Sequence, residues 1–222
     1  VRVTGVQTCA LPISHHKKSE AFRPSMMIQL FRDKNFRSAA GGYFGHMWEL
    51  YTFWAFVPIM LAASGLPGTE GVDSGQVSLL SFLIIGIGAL SCAAMGQWSL
   101  KTGSKQVARI SLILSGTACL TLPFLFGQAD GLILPVLFIW GFFVIPDSPQ
   151  FSALVAKSCD PSYKATGLTI VNSMGFAITI GSIQVLNFFW VQSQNPMLFL
   201  MMLPGPVFGL IFLHFFNESE AA

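Results

Sequence analysis

Two carboxylates sit where a carboxylate is costly. Glu49 and Asp147 each fall inside a long apolar stretch, and His46 stands one helical turn before Glu49. A charge at the centre of a membrane helix costs at least about 2.5 kcal/mol, so ionisable residues kept there are candidates for work on protons or ligands. Desolvation penalises the charged form of a carboxyl. Such a group can hold a proton while dry and release it once water arrives, which is the chemistry of proton-linked solute movement. The same carboxylates facing a solute would bind it instead.

Each of these residues also has a purely structural reading. Glu49 can serve as a helix-packing hydrogen-bond group, helped by His46 on the same face. Asp147, flanked by Pro146 and Pro149, can satisfy backbone groups freed at a broken turn. His46 and Glu49 alone are two ligands where a zinc site needs three or four, so neither metal nor cofactor is expected. A membrane enzyme using His46 and Glu49 is a competing class, but no further His, Asp or Ser cluster accompanies the pair. Trp48, Tyr51 and Trp54 surround Glu49 at helical spacing, and rings with polar tips can wall an organic solute or pack between helices. Gln150, one turn beyond Asp147, and Asn172 and Ser173, at a similar depth, complete the candidates for a cavity lining.

The elements carrying these residues follow from composition. The chain has 222 residues, 53% hydrophobic and 10% charged, against about one quarter charged in a soluble domain. Six apolar segments reach the roughly 20 residues that a spanning helix needs: 39–61, 76–98, 107–126, 132–154, 165–190 and 197–216. Residues 15–38 are polar and basic, with Met26, Met27, Leu30 and Phe31 spaced for a short amphipathic helix at the membrane surface. Residues 218–222 form a tail. Residues 3–13 (VTGVQTCALPI) resemble a translated sequencing adapter, so 1–14 are expected to be an artefactual leader. The protein proper would then enter near His15 with an upstream half missing.

Loop charges alternate. Lys and Arg gather before the first segment, around the second connection (Lys101, Lys105, Arg109) and around the fourth (Lys157, Lys164). The first, third and fifth connections have none and hold Glu70, Asp73 and Asp130. The positive-inside rule then places both ends in the cytoplasm, which requires an even number of spans. A net charge of +2 gives no basis for a nucleic-acid partner. The four cysteines show no CxxC pattern. Proline punctuates several segments (Pro58, Pro123, Pro146, Pro149, Pro204, Pro206), and the pairs Gly41/Gly45 and Gly205/Gly209 have the spacing for close helix contact.

Residues 96–106 (GQWSLKTGSKQ) resemble the loop signature Gly-x-x-x-Asp-Arg-x-Gly-Arg-Arg of the major facilitator superfamily, with Gly96, Lys101, Gly103 and Lys105 at matching positions. Leu100 stands at the aspartate position and Ser104 at a basic one, so the loop's charge-relay role is not carried over. Residues 39–56 (AAGGYFGHMWELYTFWAF) and 145–156 (IPDSPQFSALVA) are similar to helices seven and ten of bacterial members labelled nitrate/nitrite-type. The segment 76–98 lacks the arginine that binds an oxyanion in nitrate porters. The resemblance spans about residues 37–217 and implies an all-α integral membrane fold, with six transmembrane helices as two inverted three-helix units. It implies secondary transport of a small-molecule substrate across a bacterial inner membrane, with Glu49, Asp147 and His46 near the midplane. The implied partners are the lipid bilayer and a missing N-terminal six-helix half, without which the chain would not transport.

Overall fold

A computed structural model describes residues 24–217. The expected leader 1–14, the start of the basic loop (15–23) and the tail 218–222 lie outside the described residues. Among those described there is no strand. The α-helices are α1 (Pro24–Arg32), α2 (Lys34–Ala62), α3 (Gly75–Thr102), α4 (Ser104–Thr121), α5 (Ile133–Phe143), α6 (Asp147–Lys157), α7 (Lys164–Ser193) and α8 (Pro204–His214). Short 3-10 turns extend α4 (Leu122–Leu125), lead into α5 (Asp130–Leu132) and precede α8 (Pro196–Met202).

The sequence explains most boundaries. Asp33 caps α2 by accepting from the Phe36 amide at 2.7 Å, and Ser74 caps α3 by accepting from Val77 at 3.1 Å, each satisfying an amide left free at a helix start. α3 and α4 are joined through Gly103 alone, whose φ of 86° is open only to a residue without a β-carbon. Between α5 and α6, Pro146 has no N–H to give the Phe142 carbonyl, and the helix breaks over residues 144–146. Pro58 lies inside α2 without ending it. The surface helix forms over Pro24–Arg32, with Met26 and Leu30 buried. Met27 is exposed, because burial there follows one i, i+4 stripe and Met27 lies beside it.

Among the described residues, five helical stretches are long and apolar enough to cross a membrane: α3, Ser104–Leu125, Asp130–Lys157, α7 and Pro196–His214. This differs from the six apolar segments read from the sequence. α2 has the length, 29 residues or roughly 43 Å at about 1.5 Å per residue. Its glycines, His46, Glu49 and ring-bearing residues keep it outside the apolar set. α2 is instead the hub, packed against α8, α7, α6 and α3, with nineteen of its 29 residues buried.

The contact between α2 and α8 depends on glycine. A β-carbon on Gly45 would lie 2.4 Å from the Gly205 carbonyl oxygen and 2.5 Å from the Gly209 nitrogen. Gly45 of the first glycine pair therefore meets both members of the second, backbone on backbone, whereas Gly41 packs under the Phe212 ring. Two apolar clusters fill the interior. One gathers around Phe53, Trp140 and Phe199, the other around Phe36, Tyr43 and Phe151.

Candidate functional site

Between these clusters lies a layer of buried polar side chains, and α2 supplies its centre. Glu49 is completely enclosed. One carboxyl oxygen accepts from the Trp140 indole N–H at 2.7 Å and the other from the Ser115 hydroxyl at 3.1 Å. Glu49 thus ties α2 to α4 and α5, and both its oxygens are partnered.

His46, one turn earlier, does not assist Glu49. It turns to Asp147 at the start of α6, with Nδ1 and Oδ1 3.0 Å apart and both side chains buried. The approach lacks hydrogen-bond alignment, and His46 Nε2 and Asp147 Oδ2 also have no hydrogen-bond partner. Tyr43 and Phe151 flank the imidazole, with ring centroids 5.9 Å and 6.3 Å away. Asp147 is positioned by the break at Pro146, which starts α6 at the aspartate and sets its carboxyl facing α2.

Two hydroxyls share this level. Ser115 meets Glu49, so Ser111, one turn earlier on the same face of α4, lies level with Gly45 and His46. Ile84 packs on Gly141 and Gly88 on Ile145, so Ser91, about one turn beyond Gly88 on α3, lies near the break that precedes Asp147. Asp147 is within electrostatic reach of Cys92, the neighbour of Ser91, and of Glu49. Ser91 and Ser111 are fully buried, and neither hydroxyl has a hydrogen-bond partner. A buried group without a partner costs about 1–3 kcal/mol. The Glu49 side of the layer is satisfied, whereas the His46–Asp147 side is not.

A second branch of the layer joins α2 to α7. Thr52 donates to Ser182 at 2.6 Å, and Thr179 donates to the Met47 carbonyl at 3.2 Å. The remaining candidates from the sequence are dispersed. Trp48 donates its indole N–H to the Met201 carbonyl at 2.9 Å and lines an apolar groove with Pro204 and Phe208. Tyr51 and Trp54 pack edge to face 5.1 Å apart, and Tyr51 also meets Phe176. Gln150 is buried on α6, Asn172 is half-buried on α7, and Ser173 is exposed. Of the residues read as a loop, Gly96 and Lys101 lie in the last turns of α3, Gly103 alone joins the helices, and Lys105 lies in the first turn of α4; Lys101 is exposed and Lys105 donates to the Phe216 carbonyl.

Ser91, Ser111, Ser115, Thr52, Trp140, Thr179 and Ser182 are the members that sequence reading missed. Their signal was present in part. Ser111 and Ser115 are four residues apart, Thr179 and Ser182 three apart, and Thr52 lies one turn beyond Glu49. Hydroxyls at helical spacing within apolar spans mark a face turned from lipid. Among the described residues no group of three or more His, Cys, Asp or Glu side chains forms a metal-holding cluster. Chemically, the layer offers one imidazole and two carboxyls in a dry interior, a set suited to exchanging a proton. No protein-family model matches the sequence, and no curated protein matches it.

Proposed function

We propose that the chain is the C-terminal six-helix half of a secondary transporter of the major facilitator type. In this reading α2 is the first span, both ends face the cytoplasm, and the whole protein moves a small solute across a bacterial inner membrane by alternating access, coupled to protons. The alternation of basic and acidic connections supports this arrangement, and so does a break in the fourth span beside an ionisable residue. The exposed face of α7, with Ser173 and Gln184, is where the other half would close a solute cavity.

The observation that carries the proposal is the His46–Asp147 contact of 3.0 Å inside apolar helices, with polar atoms left over on both residues. The pair holds one exchangeable proton, as imidazolium with carboxylate or as neutral imidazole with carboxylic acid. Water reaching Asp147 from one side would deliver a second proton to its carboxylate, leaving His46 as an unpaired cation. Helix rearrangement toward the other side then becomes the route by which that proton leaves. Glu49, partnered by Trp140 and Ser115, anchors α2 while this occurs.

The test is Asp147→Asn in the complete carrier, measured by proton-driven accumulation and by counterflow exchange. Loss of accumulation with surviving exchange is expected, because solute binding and reorientation persist without a removable proton. Accumulation at the unaltered level overturns proton coupling at this pair. Loss of both activities in a folded variant makes Asp147 a substrate ligand, as in a uniporter or exchanger of the same fold.

A further inference from the structure

At the end of the bundle where α4 begins and α8 finishes, a pocket of about 220 Å³ is lined by Lys105, Arg109, Ile113, Leu210, Leu213 and His214. Its polarity is graded along the helix axes. Lys105, Arg109 and His214 stand at the outer end, while Ile113, one turn deeper on α4, and Leu210, one turn deeper on α8, form an aliphatic slot running inward. Lys105 donates to the Phe216 carbonyl and so fastens the end of α8 to α4. Among the described residues no carboxylate pairs with Lys105 or Arg109. Lys105 lies in the first turn of α4, where the helix dipole disfavours positive charge and favours an anion, and Arg109 follows one turn later.

We propose that this pocket binds an anionic phospholipid, with the phosphate between Arg109, Lys105 and His214 and an acyl chain along Ile113 and Leu210. A free anion would use the cations and leave the aliphatic slot unfilled. A lipid uses both, and the pocket opens at the depth where headgroups lie, given that Ser104–Leu125 and Pro196–His214 are stretches able to cross a membrane. The bound lipid would staple α4 to α8 at the end of the bundle farthest from the 3-10 turns.

The experiment is native mass spectrometry of the full chain from detergent with phosphatidylglycerol or phosphatidylcholine. Retained phosphatidylglycerol in excess over phosphatidylcholine is expected. Arg109→Gln should weaken that retention about fivefold, equivalent to about 1 kcal/mol for one cation near a membrane surface. Lys101→Gln, an exposed cation outside the pocket, should leave it unchanged. Equal losses in the two variants, or none in Arg109→Gln, overturn the site. Complete displacement by inorganic phosphate reassigns it to a free anion. Absence of any phosphatidylglycerol preference until Glu218 and Glu220 are replaced by Gln shows that the chain's own tail fills the pocket, and overturns the lipid proposal.

Discussion

α2 and α3 are nearly equal in length and opposite in character. α2 carries the ionisable and ring-bearing residues and buries nineteen of 29 positions. α3 is apolar all round and buries six of 28, with Phe82 and Leu90 about 70% exposed. In a water-soluble protein the more apolar helix would be inside. Here lipid is as apolar as any core, so hydrophobicity does not select the interior. Position inside is marked by small residues that permit close approach and by polar groups that find partners only there.

That contrast can be broken most severely at the glycine seam. Gly45→Leu should prevent α8 from docking on α2, a loss beyond the about 1–3 kcal/mol of ordinary overpacking, because the obstacles are Gly205 and Gly209 backbone atoms. Denaturant titration of the chain in detergent would measure it. Gly86→Ala on α3, where nothing lies within 4 Å, should leave the titration within about 0.5 kcal/mol of the parent. If the two variants behave alike, the hub role of α2 is wrong.

The next largest effect separates lipid-facing from buried positions. Leu90→Asp should cost about 3–4 kcal/mol of membrane insertion, read by glycosylation mapping of the α3 span. Were the exposed face of α3 turned to water, the same change would cost almost nothing.

Trp140→Phe keeps the ring in the core and removes the donor to Glu49. Loss of about 1–3 kcal/mol is expected in the detergent titration; no change would mean that Glu49 is not anchored as described. The smallest effect belongs to Ser91→Ala, which deletes a buried hydroxyl without a partner. Stability should stay level or rise by up to about 1 kcal/mol. A loss above that size would show that Ser91 has a partner in the working protein.

Much of this layout was legible in the sequence, though unevenly. Glu49, Asp147 and His46 stood out because charge within an apolar run is rare for an energetic reason, and all three are buried together. Spacing along one helix suggested that His46 serves Glu49. Through space His46 serves Asp147, since the break at Pro146 turns α6 so that its first residue faces α2. Trp48 and Trp54 looked equivalent by spacing, yet one indole bonds to the Met201 carbonyl and the other has no partner. Helical periodicity assigns residues to a face, whereas the neighbour that covers the face is chosen by packing between distant segments.

The sequence by itself determined that the chain is helical and built for a membrane, because stretches of about 20 apolar residues have no other stable use. It also marked the break at Pro146, where proline removes a donor, although Pro58 does the same inside α2 without ending it. Only the tertiary structure decided that α2, which falls outside the five most apolar stretches, is the centre, that Glu49 is satisfied by Trp140 and Ser115 while His46 and Asp147 are left with spare polar atoms, and that Gly45 meets Gly205 and Gly209 in one seam. Those outcomes depend on which helices become neighbours, and that choice is a property of whole surfaces fitting together rather than of any one segment.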